Sequence, residues 1–304
     1  MPGLADRAGA AVLFDPANHQ LDWAANGNPC TSSAGSVSGY LLALERLQTP
    51  YDVLAASHLA DLSGYRFIAL PWAMIVRPAV ARALLDWVHA GGTLLAESEL
   101  DAYDELGLYR YPQDRPFATA LGVTGQGRRP VADGETCEFA LDGATGTLAA
   151  RTWIEPLHAA PPADVLSTST AGPVLVRRRV GSGSVIVAGT HLALAYLEKR
   201  TSGFEDFLGT VIRSAGAEAP VRCSANDGQT VQWRTGCSGT QRLLFVTNHG
   251  PRVDATFTAP ADIFAAEVAS DLLTGTQHEI TEIDRQRGFT VRLEGGSPAV
   301  LLLG

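Results

Sequence analysis

The sequence is poor in positive charge, and above all in lysine. Lys199 is the single lysine among 23 basic residues, against 32 acidic ones, for a formal charge of -9. A chain this acidic lacks the basic face that phosphate backbones require, so nucleic acid is not an expected partner. Long apolar runs are also missing. No stretch approaches the roughly 18 residues of a membrane span, and Met1 to Ala11 lacks the basic-then-apolar pattern of a signal peptide. Cysteine is scarce: Cys30, Cys137, Cys223 and Cys237 include no C-x-x-C pair, which removes the common zinc and redox motifs. There is no H-E-x-x-H, no P-loop lysine motif and no G-x-G-x-x-G after a strand, so neither a metal nor a cofactor is expected. Without a secretion signal the expected setting is a reducing cytoplasm. Cys223 and Cys237 are spaced to face each other across a hairpin, but that setting disfavours a disulfide between them.

What is present is apolar material enough for a real core. Hydrophobic residues make up 46% and charged residues 18% of 304 positions, which excludes disorder as the main state and suggests about two domains. Ala10 to Asp15, Tyr51 to Ala55, Tyr65 to Leu70 and Thr93 to Glu97 read as short buried strands. Residues 16 to 36, rich in Asn, Ser and Gly, read as a loop. Ser38 to Leu47 carries a helical stripe of Tyr40, Leu41, Leu44 and Leu47. A second helix starts at Pro78, where a missing N–H costs nothing, and stops at Gly91 and Gly92. This alternation predicts an α/β fold with a mostly parallel sheet and helices on both faces. Residues 101 to 135 read as a surface excursion, Glu135 to Leu148 as an extended ribbon, and Pro173 to Ala188 as a hairpin around Gly181 to Gly183. Gly203 to Ala215 reads as a helix. After Pro220 short strands alternate with Gly, Pro, Asn and Asp, as in a small all-β sandwich. The expected domains are therefore residues 1–218 and 219–304.

Open α/β sheets bind ligands at the carboxyl ends of their strands, near the point where strand order reverses. The candidates there are Asp15 and His19 after the first strand, Trp72 after the third, Glu97, Glu99 and Asp101 after the fourth, and His191 after the strand ending at Gly189. Acids at strand ends also cap helices or accept loop N–H bonds, and that plainer reading stays open for each. Ser98 lacks the flanking glycines of a nucleophile elbow, and no cysteine stands there. Glu97 and Glu99, two residues apart on an extended strand, would share a face and so resemble a glycosidase carboxylate pair, although such clusters usually face solvent. Trp72, Trp153 and Trp233 offer stacking surfaces for sugar rings if they are not simply core.

Two blocks carry a family resemblance: Asp61 to Pro71, reading DLSGYRFIALP, and Leu84 to Thr93, reading LLDWVHAGGT. They resemble the region that follows the catalytic barrel in family 42 glycoside hydrolases, the β-galactosidase type. Val12 to Asp15, Asp104 to Gly107, Leu121 to Val123 and Arg177 to Gly183 fit the same pattern. Leu243 to His249 and Asp271 to Gly275 resemble the small C-terminal β domain of those enzymes. The resemblance implies a trimerisation domain of flavodoxin- or glutamine-amidotransferase-like fold. It also implies a homo-oligomer, with the trimer as its form, and a (β/α)8 barrel as catalytic partner. That family's catalytic glutamates lie in the barrel, so none is matched here. The amidotransferase cysteine is likewise replaced by the Glu97 to Glu99 segment. The expectation is a non-catalytic oligomerisation region, in a natural barrel-less protein or a fragment. A stand-alone glycoside-active enzyme using strand-end carboxylates and a carbohydrate-binding module with a sugar ligand are the alternatives.

Overall fold

The computed structural model describes residues 8–27, 32–57, 59, 61–225 and 230–303. They form two compact units: residues 9–43 with 51–217, and residues 218–303 with Ala8 and residues 44–50.

The first unit is a mixed α/β structure built on a seven-stranded sheet. Strands β1 (Ala10–Phe14), β2 (Tyr51–Ala55), β3 (Phe67–Leu70) and β4 (Thr93–Ala96) run parallel in the order β4-β3-β1-β2. Gly183–Ala188 extends the parallel set beside β4, and Gly172–Val180 and Ala163–Ser169 add antiparallel strands at that edge. All four residues of β3 are buried, as the continuous apolar run requires of a strand covered on both sides. From β1 the chain passes to β2 on one side and then returns to β3 on the other. Strand order therefore reverses between β1 and β3.

Residues 16 to 36 are not a loop. They hold helix α1 (Pro16–Asn26) and the start of helix α2 (Ser33–Arg46). Pro16 stands at the first helical position and the Asp15 carboxylate caps the Ala17 N–H at 3.0 Å. The hydropathy pattern hid α1 because the positions it buries deepest, Asn18 and Asp22, are polar. Asn18 bonds both the N–H (2.8 Å) and the carbonyl (3.2 Å) of Ile75, and Asp22 accepts the Ser33 N–H at 2.8 Å. Helix α3 (Pro78–His89) has the expected apolar stripe, with Val80, Leu84, Trp87 and Val88 in the main core. Each such side chain contributes roughly 1.5–3 kcal/mol on full burial.

Residues 101 to 135 also differ from the expected surface excursion. They contain helix α4 (Pro116–Leu121), whose Phe117, Ala118 and Leu121 enter the main core, preceded by the buried Arg115. The ribbon is a hairpin of Thr136–Leu141 and Ala144–Ala149. Helices α5 (Leu192–Glu198) and α6 (Ser202–Ser214) complete the unit.

In the second unit two antiparallel sheets, of four and five strands, share one apolar core that includes Leu244, Phe257, Phe264, Phe289 and Leu301. Cys223 lies on a strand of the four-stranded sheet and Cys237 on one of the five-stranded sheet. They do not face each other across a hairpin, and both are free thiols. Burial pushes the Cys223 thiol up to about 12. Cys30 lies outside the described residues.

Helix α2 meets α5 at Gly39, where a Cβ would lie 1.9 Å from the Ala193 carbonyl oxygen. Neither backbone can move aside cheaply. Gly39→Ala is expected to lower stability by about 1–3 kcal/mol despite the helix propensity gained. Ser38→Ala, on the exposed face beside it, should stay within about 0.5 kcal/mol of the parent. Urea unfolding of the two variants measures the contrast.

Candidate functional site

The ends of β3 and β4 carry a buried polar network. Trp72 follows β3, Glu97 to Asp101 follow β4, and Glu97, Ser98, Glu99 and Asp101 are all buried rather than facing solvent. Three non-glycine residues adopt left-handed backbone there: Trp72 (φ 29°), Glu99 (φ 63°) and Asp101 (φ 56°). Such backbone costs on the order of 1–3 kcal/mol per residue and persists only where its surroundings hold it.

The holding groups are carboxylates. Glu97 accepts from the Ser36 hydroxyl, from the Trp72 N–H at 3.2 Å and from the Ala193 N–H at 2.8 Å. It so joins α2, the turn after β3 and the start of α5. The Tyr40 hydroxyl is buried with no hydrogen bond of normal geometry, and burial and the nearby Glu97 carboxyl hold its pKa well above the usual phenol value. Glu99 accepts the Trp72 indole N–H at 3.0 Å and forms an ion pair with Arg128. Glu97 and Glu99 therefore do not form a carboxylate pair across an open face. The strand ends at Ala96, and alternation ends with it.

Behind this turn lies an ion pair that the sequence reading missed. Glu155 and Arg115, each with a side chain 2% exposed, meet at 2.7 Å. The other Glu155 oxygen accepts the Ser98 hydroxyl (3.0 Å) and the Glu99 N–H (2.8 Å). Ser98 is buried, and the carboxylate it donates to is already engaged by Arg115. Asp101 is held by Arg110 and by the Phe117 N–H at 2.8 Å. The signal for these partners was faint: Arg115 sits immediately before the apolar turn Pro116 to Leu121, and Glu155 between Ile154 and Pro156.

His191 packs on Trp72 with ring centroids 3.7 Å apart, and its Nδ1 lies 3.3 Å from the Arg151 carbonyl oxygen. Burial depresses its pKa to about 3, whereas burial raises that of Glu97 to about 7 despite the hydrogen bonds that favour its charged form. Asp15 and His19 stand apart from the network. Asp15 caps α1 and pairs with Arg77 at 3.1 Å. The His19 Nδ1 is 2.8 Å from the Ser33 hydroxyl, and desolvation lowers its pKa more than Asp22 and Asp15 raise it.

A cavity of about 430 Å³ opens where strand order reverses. Its wall comprises α1 residues after β1, Trp72 after β3 and Glu99 after β4, closed by Arg128, Arg151 and Trp153. Of the seven expected site residues only Trp72 and Glu99 line it. Among the described residues no cluster of His, Cys, Asp and Glu is grouped to hold a metal.

The two shifted groups act on stability in opposite directions. Folded Glu97 keeps a proton between about 4.5 and 7 that the unfolded chain releases, so its contribution to stability falls as pH rises through that window. Unfolded His191 takes up a proton below 6.5 that the folded chain refuses until about 3, so its contribution falls as pH drops. From about pH 4.5 to 6.5 the two slopes cancel. Glu97→Gln should expose the His191 slope, with stability lost on acidification below 6.5. His191→Gln should expose the Glu97 slope, with stability lost on raising pH from about 4.5 to 7. Each slope approaches about 1.4 kcal/mol per pH unit at its steepest. Urea unfolding at half-unit steps of pH, compared with the parent, reads both.

Comparison with known proteins matches this architecture. The Beta-galactosidase trimerisation domain family matches residues 8–217. The beta-galactosidase BglY of Alicyclobacillus acidocaldarius is 27% identical over 253 residues, covering 78% of this chain and 35% of the relative. The chain thus spans about a third of the length of that curated relative. The beta-galactosidase of Bacillus circulans sp. alkalophilus superposes with a TM-score of 0.76 at 19% identity, over 98% of this chain and 41% of that one. That of the haloarchaeon Halorubrum lacusprofundi gives 0.62 at 22% identity, over 100% and 41%. These structural likenesses are likenesses of fold, and they extend across both units. With the family match covering the whole α/β unit, the chain belongs to the Beta-galactosidase trimerisation domain family.

Proposed function

We propose that this chain is the non-catalytic, self-associating region of a glycoside hydrolase of the β-galactosidase type, working with a catalytic (β/α)8 barrel in carbohydrate metabolism. The observation that carries this reading is the family match over residues 8–217. The carboxylates support it. Glycoside hydrolysis needs two acids open to the sugar on either side of the scissile bond. Glu97 is 0% exposed and taken up by donors from three elements, and Glu99 is bound to Arg128 and Trp72. A stand-alone enzyme built on Glu97, Glu99 and Asp101 would have to break the network that holds its own backbone. The reading extends to residues 1–218 as a flavodoxin- or glutamine-amidotransferase-like domain with helices on both faces, residues 219–304 as a β-sandwich, and the cytoplasm as the setting. Cys137, Cys223 and Cys237 as free thiols suit that compartment.

Self-association needs an apolar surface. Leu106 (84% exposed), Leu108 (62%) and Tyr111 (66%) stand out on one short segment, and Tyr109 packs edge-on to both Tyr103 and Tyr111 at 5.4 and 5.9 Å. Exposed apolar residues grouped in this way mark contact surfaces. The occupant we assign is a second copy of this chain, because the family is one of trimerisation domains. A ring of three requires a head-to-tail contact, so this segment would dock on a different face of the next copy.

Size-exclusion chromatography with light scattering at micromolar concentration should return the mass of three copies. The double variant Leu106→Asp, Tyr111→Asp should return a monomer with an unchanged circular dichroism spectrum. A monomeric parent would overturn self-association; a variant that stays trimeric would move the contact elsewhere. Chromogenic galactosides should show no turnover by the chain alone. Turnover that Glu99→Gln abolishes would establish the enzyme reading instead.

A further inference from the structure

The wall of the cavity at the strand-order reversal has the chemistry of a ligand site. We infer that the cavity binds a neutral pyranose; the choice of D-galactose as the probe rests on the proposed β-galactosidase reading, and the site itself does not.

Three observations lead there. The first is position. Ligands of open α/β sheets bind in the crevice outside the carboxyl ends of the strands, where the order reverses. The cavity sits between α1 and the Trp72 turn, at that point in this sheet. Its volume, about 430 Å³, is within the usual range of small-molecule sites, about 300–1,000 Å³.

The second is charge. Two guanidinium groups and two carboxyl groups line the cavity, and each already has a partner, an opposite charge for three of them and neutral N–H donors for Asp22. Glu99 pairs with Arg128, and Arg151 pairs with Glu198 at 2.8 Å. Asp22 accepts from the Asn26 amide and the Ser33 N–H, both at 2.8 Å. An anion would meet the carboxylates of Glu99 and Asp22 across the same small space, and a cation would meet the two guanidinium groups. Either would upset a wall that is balanced without it. A neutral molecule with many hydroxyl groups suits the wall, because each hydroxyl both donates and accepts. Guanidinium and carboxylate groups still have N–H groups and lone pairs to offer it.

The third is the combination of aromatic surface with preset backbone. Trp72, Tyr103 and Trp153 line the same cavity, beside apolar side chains such as Met74 and Leu194. Sugar rings present an apolar C–H face and a hydroxyl edge, which such a mixed wall can take together. Trp72, Glu99 and Thr152 (φ 64°) all line the cavity and all hold left-handed backbone without being glycine. The indole of Trp72 is fixed on one side by His191 and through its N–H by Glu99. Arg128 is fixed over Trp153, 4.5 Å from the ring centroid. A wall set before the ligand arrives spares the ordering cost of binding.

Isothermal titration of the full chain with D-galactose tests the assignment, with inorganic phosphate titrated in parallel. The expected result is saturable millimolar binding of galactose and none of phosphate. Ala25→Trp places a large ring in the cavity from an exposed position on α1 and removes no contact of the network. It should weaken galactose binding by at least about tenfold while the melting temperature and the light-scattering mass stay as in the parent. Trp153→Ala should weaken binding to a similar degree. Absence of galactose binding by the parent overturns the inference, as does phosphate binding in its place. Undiminished binding by Ala25→Trp overturns it too, since the sugar would then sit elsewhere. The light-scattering mass, read on the same samples, reports separately on self-association.

Discussion

The α/β unit depends on one carboxylate. Glu97 stands immediately after β4 and takes donors from α2, from the Trp72 turn and from the first turn of α5. Those donors come from sequence positions as far apart as Ser36 and Ala193, and no backbone ladder joins them. Buried N–H and O–H groups left unpaired would each cost about 1–3 kcal/mol. A carboxylate can take all three, which a neutral amide or hydroxyl cannot do as well. The cost falls on ionisation: the same burial that makes Glu97 useful as an acceptor raises its pKa to about 7.

A second carboxylate continues the arrangement. Glu155 pairs with Arg115 and holds the backbone of Ser98 and Glu99. Gly125 answers to the same constraint, because a Cβ there would lie 2.1 Å from a Glu155 oxygen. Glu97 and Glu155 together keep Trp72 and Glu99 in backbone conformations that L-residues avoid. The cavity inherits its shape from them. The place where other open α/β sheets carry reactive groups is here occupied by acceptors that are already engaged. This suits a domain whose family is defined by assembly, and it leaves room beside the turn for a neutral ligand.

Much of the framework was legible from residue order. The four parallel strands, α3 with its Pro78 start and the hairpin around Gly181 to Gly183 follow from apolar periodicity and turn residues. Of the candidate residues, Trp72, Glu97, Glu99 and His191 do come together behind the strand ends, although only Trp72 and Glu99 line the cavity. Helix α1 was not, because its buried positions are Asn18 and Asp22 and hydropathy treats those as surface. Arg115 and Glu155 were not, because a charge reads as exposed until its partner, 40 residues away, is placed beside it.

Residue order by itself therefore determined the four parallel strands, helix α3 and the strand ends as the place to look. These are local properties, set by spacing of two or of 3.6 and by residues such as proline and glycine. Tertiary structure alone decided that the acids are buried acceptors rather than a solvent-facing pair. It also decided that Cys223 and Cys237 lie in different sheets, and that Arg128 and Trp153 close a cavity over Trp72. Burial and pairing depend on what the rest of the chain brings alongside, and that information has no period in the sequence.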